Sequence, residues 1–378
     1  MKRVLIVAGE ASADICGAEM VESLAHDARF VGVGGEKMRA AGAELVFGAS
    51  EFSLFGVGEL IGKLREVWGK YRRLVRLVKT EKWDAAVLID LPDINLRLAK
   101  HLKRRGIPVC YYVSPQLWAW RSGRINQIRR SVDQMLVLFP FEEGYYRKRS
   151  VNATFVGHPL TRQLEERNPV SWGGTIRFGV LPGSRWSEIR YHVPILARAI
   201  RILQARYPGA AFEVPVPTTL DGKTIEDLFR QHGALGVEIT ANSLETFRTC
   251  HVALVASGTA TLEAALIGIP FCIFYRVSRS SKFLYDLLID VPHIGMPNLL
   301  VGREIVREFF QERATPDALA AEAIRLVEEV PYRDDQIGHL RECRRSLEKP
   351  KSAHDAAGWL GHILNENHER LSPASRPH

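Results

Sequence analysis

The chain is poor in cysteine and has none of it in a useful pattern. The five residues are Cys16, Cys110, Cys250, Cys272 and Cys343. An odd count without any Cys-x-x-Cys pair argues against a disulfide framework and against a thiol redox motif. No His and Cys cluster has zinc-ligand spacing. A reducing cytosol fits this usage best. No apolar run reaches the length of a membrane span. Lys2 and Arg3 precede an apolar stretch, but it ends at Gly9 and Glu10. That is too short for a signal peptide and reads better as a first strand. Helix-turn-helix, zinc-finger and aromatic RNA-binding signatures are missing, so nucleic acid is a weak candidate partner despite a net charge of +8. The same charge suits anionic lipid or phosphorylated substrates. A dinucleotide fingerprint is missing as well, because the glycine after Gly9 is Gly17. There is no short-period repeat.

What is present is alternation. At 378 residues the chain exceeds one ordinary core, so two domains are expected. Its 46% hydrophobic and 25% charged residues are those of a folded globular protein. Short apolar runs alternate with helical patterns, the signature of parallel α/β layers. Strands are expected at 4–8, 30–33, 85–89, 109–113, 134–138 and 153–156, then at 177–181, 212–216, 237–240, 252–256 and 271–274. The polar stretch 161–174, with Pro169, Gly173 and Gly174, reads as a linker. From Pro316 onward the pattern is helical, and 372–378 reads as a disordered tail. The expected division is 1–165, 170–345 and 346–378. Two doubly wound domains on a short linker create a cleft, and such sheets bind ligands at the carboxyl ends of their strands. Chemistry is therefore sought in the loops that follow strands.

The segment 252–269 (VALVASGTATLEAALIGI) is the most informative. A buried strand feeds a helix through Ser257, Gly258 and Thr259, which leaves backbone N–H groups free at the helix start. Glu263, one turn in, can accept from sugar hydroxyls. A capped βα turn without a ligand explains the same residues. In LPGSR at 181–185, Gly183 allows close backbone approach and Arg185 offers a fork suited to phosphate oxygens. A cation at the positive end of a helix dipole suggests an anion to offset it. Asn298 lies in a loop after the last expected strand and could contact a polar ligand or close a turn.

In the first half, GEASAD at 9–14 is a small-residue turn, and Ser12 either caps a helix or meets substrate. DLPDIN at 90–95 places Asp90 and Asp93 at a strand end, one carboxylate more than a cap needs. With a reference pKa near ~3.9, such an aspartate is ionised at neutral pH and could take a hydroxyl proton. Trp118 and Trp120 could stack on sugars, though core packing is the commoner use. Leu60, Ile61, Leu64, Val67, Trp68, Tyr71, Leu74, Val75 and Val78 fall at helical spacing among many cations. That pattern suits a helix on an anionic membrane surface, or one packed on a sheet with its basic face in water.

Together these loops resemble lipid A disaccharide synthase, a glycosyltransferase family with the two-domain GT-B fold. The resemblance runs from Val4 to about Leu364 and rests on GEASAD, DLPDIN, YVSPQLWAWR at 112–121, FVGHP at 155–159, LPGSR, SGTATLE at 257–263 and PNLLVGR at 297–303. Ala13 departs from the family, which usually has glycine there. The resemblance implies an α/β fold of two Rossmann-like domains facing a cleft, with a helical C-terminal segment. It implies an inverting transfer, with no metal and no cofactor, from UDP-2,3-diacylglucosamine to 2,3-diacylglucosamine 1-phosphate. Asp90 matches the family's proposed base. Gly183, Ser184, Arg185, Gly258, Thr259, Ala260, Glu263 and Asn298 would hold the donor, and Ser12, Asp93 and Asn95 would shape the acceptor side. Acylated substrates imply a cytoplasmic protein, peripheral on the inner face of the bacterial inner membrane, with Leu60, Ile61 and Leu64 membrane-facing. The helical tail could return to the first domain or cross to a partner chain in a homodimer. A non-hydrolysing UDP-sugar 2-epimerase and a non-catalytic nucleotide-binding module are the competing readings.

Overall fold

The computed structural model describes residues 1–49, 60–117, 122–277, 292–348 and 356–371. The chain forms two compact units, Met1–Pro159 with the C-terminal helix, and Leu160–Glu348. The first contains β1 (Lys2–Ala8), α1 (Ala11–Ser23), β2 (Ala28–Gly34), α2 (Glu36–Ala40), β3 (Glu44–Gly48), α3 (Leu60–Thr80), β4 (Ala85–Ile89), α4 (Pro92–Arg104), β5 (Val109–Tyr112), α5 (Ile125–Ser131), β6 (Gln134–Val137), α6 (Pro140–Arg147) and β7 (Ala153–Phe155). The second contains α7 (Leu160–Gln163), β8 (Arg177–Leu181), α8 (Trp186–Arg206), β9 (Ala211–Pro215), α9 (Gly222–Gln231), β10 (Val237–Thr240), α10 (Ser243–Thr249), β11 (Val252–Ala256), α11 (Thr259–Ile267), β12 (Phe271–Tyr275), α12 (Met296–Val301), β13 (Glu308–Phe310), α13 (Pro316–Glu328) and α14 (Val330–Leu347).

Each unit holds one parallel sheet. The orders are β3-β2-β1-β4-β5-β6-β7 and β10-β9-β8-β11-β12-β13. In both, the first strand of the unit lies between its second and fourth, with Val4 beside both Phe30 and Ala85, and Phe178 beside both Phe212 and Val252. The order therefore reverses between β1 and β4, and again between β8 and β11. Such switch points are where doubly wound sheets open a crevice at their carboxyl ends. Central strands are covered on both faces, which is why β4 (AAVLI) and β11 (VALVA) are apolar throughout and fully buried.

The amphipathic segment divides its work. Tyr71, Leu74 and Val78 of α3 are buried in the first core, at the i, i+3, i+7 spacing of one helix face. Trp68 stays 47% exposed. The side chains of Leu60, Ile61 and Leu64 lie outside the described residues, as do Trp118 and Trp120 and the tail 372–378. Among the described residues no helix is long and apolar enough to cross a membrane.

The stretch 161–174 is not the free linker its composition suggests. The Arg167 N–H donates to the Ile267 carbonyl at 2.9 Å, the Arg167 guanidinium donates to the carbonyl of Cys250, and Leu164 is buried. These bonds tie the stretch to the second unit. At the other end of the chain, α15 (Ala356–Leu371) returns to the first sheet and packs on α1 and β4 with Leu360 and Leu364 buried.

Candidate functional site

In the second unit, the loops after β8 and β11 meet at the switch point around a cavity of about 390 Å³. Gly183, Ser184 and Arg185 line one side, and Gly258, Thr259, Ala260 and Glu263 the other. Pro215 at the end of β9, Val216 and Pro217 just after it, and Ala241 and Ser243 after β10 add to the lining, and their sequence carries no chemical signal. The α11 start is built to stay open. Gly258 has φ 154 and ψ −164, a region nearly closed to other residues. The Thr261 hydroxyl donates to the Gly258 carbonyl at 2.7 Å, and the Ser257 hydroxyl donates to Ile294 at 2.6 Å. No side chain caps α11, so the Thr259 and Ala260 amides face the cavity with the positive end of the helix dipole behind them. Glu263 is half-buried, has no ion-pair partner among the described residues, and burial raises its pKa.

The opposite wall holds itself together. Arg185 is the N-cap of α8. Glu188 accepts from the Ser184 and Arg185 amides at 3.2 and 3.3 Å, from the Arg185 guanidinium at 3.0 Å and from the Tyr275 hydroxyl at 3.2 Å. The anion that offsets Arg185 at the helix start is thus a residue of the helix itself. A Cβ on Gly183, at φ +105, would lie 2.6 Å from a Glu188 oxygen, so glycine is required there. Fully buried His192 donates through Nδ1 to the Pro182 carbonyl at 2.7 Å and accepts the Arg276 N–H at Nε2 at 3.0 Å. Burial keeps it neutral, which this pairing requires. It fastens the 182–185 loop to the end of β12, a positioning role that a lone helical histidine does not advertise.

In the first unit, Asp90 ends β4 beside the loop after β1. Asp90, Leu91 and Val113 adopt φ 52, 48 and 63, a left-handed cluster at the ends of adjacent strands. Such strain persists only where surroundings enforce it. Here the Asp90 carbonyl accepts from the Tyr111 hydroxyl at 2.5 Å and from Asn95 Nδ2 at 2.8 Å, while the Asp90 N–H donates to Tyr112 at 3.0 Å. The carboxyl group has no ion-pair partner among the described residues. Burial, helped by the nearby Glu10 charge and opposed by the Leu91 N–H, pushes its pKa up to about 6.

The other expected residues fall differently. Ser12 is exposed on the first turn of α1, inside a helix whose N-cap position is Glu10 and whose start has no side-chain cap, so Ser12 is not the cap. Ala13 sits inside α1 without positive φ, so replacing a glycine there introduces no backbone strain. Buried Asp14 is spent on holding the start of α2, accepting from the amides of Gly35, Lys37 and Met38 at 2.7, 3.0 and 3.1 Å. Asp93 is exposed and pairs with Arg124. Asn95 is fully buried beneath Asp90, so it supports that residue instead of lining an open surface.

Asn298 is the clear correction. It lies within α12, not in a loop, and is fully buried. Its Nδ2 donates to Val306 and Glu308, both at 2.7 Å, and its Oδ1 accepts the Ile305 and Val306 amides at 2.8 and 2.9 Å. No bonding capacity remains for a ligand. Asn298→Ala should therefore cost at least about 1–3 kcal/mol of stability by orphaning buried groups. UDP affinity of the folded variant should be unchanged. Denaturant titration beside UDP calorimetry checks both, and a selective loss of UDP binding would return Asn298 to the site.

Comparison with known proteins identifies the family and the fold. The family model described as lipid-A-disaccharide synthetase matches residues 4–357. A lipid-A-disaccharide synthase of Koribacter versatilis is 40% identical over 370 residues, covering 94% of this chain and 96% of the relative. One from Myxococcus xanthus is 38% identical, covering 96% and 97%. Among solved structures, the kitacinnamycin glycotransferase superposes with a TM-score of 0.61 at 16% identity over 96% of this chain and 99% of that one. The calicheamicin glycosyltransferase gives 0.57 at 15% identity over 100% of both. A UDP-N-acetylglucosamine 2-epimerase gives 0.61 at 11% identity over 100% and 99%, a likeness of fold alone. The two parallel Rossmann-like sheets are those of the GT-B fold. With the family matched across nearly the whole chain, this protein belongs to the lipid-A-disaccharide synthetase family and is a glycosyltransferase of lipid A biosynthesis.

Proposed function

We propose that the protein transfers the diacylglucosaminyl group of UDP-2,3-diacylglucosamine to the 6-hydroxyl of 2,3-diacylglucosamine 1-phosphate. The bond from the anomeric carbon to the diphosphate breaks and a β-1,6 bond forms, with inversion. The acceptor proton passes to Asp90 and the electron pair of the broken bond leaves with UDP. The observation that carries this reading is the convergence of 183–185 and 258–263 on one cavity. Open amides at Thr259 and Ala260, with Arg185 opposite, suit a diphosphate whose charge grows as it leaves. Glu263, without an ion-pair partner among the described residues, suits the ribose hydroxyls. Asn95 and Tyr111 hold the Asp90 backbone, so the base is fixed in place before substrate arrives.

A base with pKa near 6 is anionic at neutral pH yet still basic enough to take a proton. Because the folded pKa is raised, the active anion is lost as pH falls through that value. The acid limb of kcat/KM should accordingly bend near pH 6, and activity at pH 5 should be about a tenth of its plateau. Glu10→Gln removes a neighbouring negative charge, so it should move the bend to lower pH. A pH–rate profile of both proteins tests this reading, and a bend near the ordinary aspartate range in wild type, unmoved by Glu10→Gln, would count against Asp90 as the base.

Acylated substrates place the work at a membrane surface, on the inner face of the inner membrane. The reading calls on residues of one chain only and needs no homodimer.

A further inference from the structure

Six cations face a groove of about 660 Å³ between α3 and α4: Arg72, Arg76 and Lys79 from one helix, Arg97, Lys100 and Arg104 from the other. No acidic residue lines it among the described residues, and none of the six makes an ion pair there. Elsewhere on the same helices Lys70 pairs with Glu66 and Lys103 with Asp133, while Arg73 lies over the Phe47 ring. Within the groove, Arg72 and Arg76, Arg76 and Lys79, Arg97 and Lys100, and Lys100 and Arg104 repeat like charge at i,i+3 or i,i+4, which destabilises a helix unless an anion intervenes. Trp68 stands exposed at the groove, its ring 5.1 Å from Tyr71 and 5.9 Å from the Arg97 guanidinium. An amphipathic ring beside a polybasic surface is the composition of a membrane interface.

We propose that this groove is a binding site for the phosphate of anionic phospholipid headgroups, through which α3 and α4 seat the first unit on the bilayer. The proposal rests on the membrane-surface reading above and adds to it a headgroup class and a place. The phosphate sits among the guanidinium and ammonium groups, and Trp68 lies at the acyl boundary. His101 lines the same groove between Lys79 and Arg104. Burial, and after it those two cations, lowers its pKa, so a bound phosphate that offsets the cations should raise it.

The test is sedimentation with phosphatidylcholine vesicles with and without phosphatidylglycerol, comparing wild type with Arg76→Gln/Arg97→Gln/Arg104→Gln. The variant should fold normally and turn over detergent-dispersed substrates at the wild-type rate, since these exposed residues touch neither the cavity nor Asp90. Wild type should prefer vesicles containing phosphatidylglycerol. Affinity should fall about fivefold per cation removed, about a hundredfold for the triple variant. Inorganic phosphate should raise the pKa of His101, followed by NMR, in wild type and not in the variant. Equal sedimentation of variant and wild type, or equal binding to both vesicles, would overturn the groove site and leave the membrane reading standing. Wild type that binds neither vesicle would overturn both, even if His101 responds to free phosphate. Tighter binding of a single-stranded oligonucleotide, lost in the variant, would assign the groove to nucleic acid and overturn the lipid proposal.

Discussion

Asp90→Asn is expected to lower turnover by about 10²–10⁴-fold, the worth of a positioned general base. UDP affinity should stay within about twofold, because Asp90 lies outside the cavity that would hold the nucleotide. Asparagine is the informative replacement for a backbone reason as well as an electronic one. Asp90 sits at φ 52, where asparagine is among the few residues at ease and alanine is strained. The Tyr111 and Asn95 bonds go to the Asp90 carbonyl, so they survive the change. Lost turnover can then be read as a lost proton acceptor and not as a collapsed loop. Steady-state kinetics with UDP calorimetry decides. Near-wild-type turnover would put the base elsewhere.

Arg185→Ala is expected to cost about 10²–10³-fold in turnover, as removal of one preorganised charge-stabilising donor does elsewhere. UDP should bind about 10- to 100-fold more weakly, through loss of a charged hydrogen bond. The guanidinium is 66% exposed, and among the described residues its ion pair is with Glu188 of its own helix. Such a pair is worth little, so redirecting the fork to a diphosphate costs little. Lysine at this position keeps the charge and loses the two-pronged geometry, and should fall between wild type and alanine. Glu188 would remain bonded to the Ser184 amide in either variant, so the helix start should stay formed. Unaltered UDP affinity and turnover in Arg185→Ala would remove Arg185 from the donor site.

The central strands were readable because a parallel strand covered on both faces needs an uninterrupted apolar run, as in β4 and β11. The edges were not. β3 carries exposed Glu44 and Val46, and β13 is only three residues long, so neither makes such a run. β5 stops one residue early because Val113 turns left-handed to begin the next loop. The helix 259–267 was legible at both ends, with Gly258 before it and Gly268, at φ 81, closing it. The loops after β8 and β11 that line the cavity were legible for the same reason, since glycine and hydroxyl residues break an apolar strand visibly; those after β9 and β10 were not.

What sequence could not show is which polar groups the fold itself consumes. Asn298 is bound to a strand that was not foreseen, and Asn95 is turned under Asp90 by the first turn of α4. Arg185 finds its anion one turn along its own helix. The raised pKa of Asp90 depends on Glu10, eighty residues earlier, which only the pairing of β1 with β4 brings near. Hydrogen-bond saturation and burial are properties of the folded neighbourhood, and they separate supporting residues from contacting ones.

The most direct measurement is product analysis after incubation with both acylated substrates in excess chelator. The expected products are a β-1,6-linked tetraacyl disaccharide 1-phosphate and one UDP per linkage formed. Failure to form the disaccharide, with the manno epimer appearing instead when UDP-N-acetylglucosamine is supplied alone, would contradict the proposed transfer.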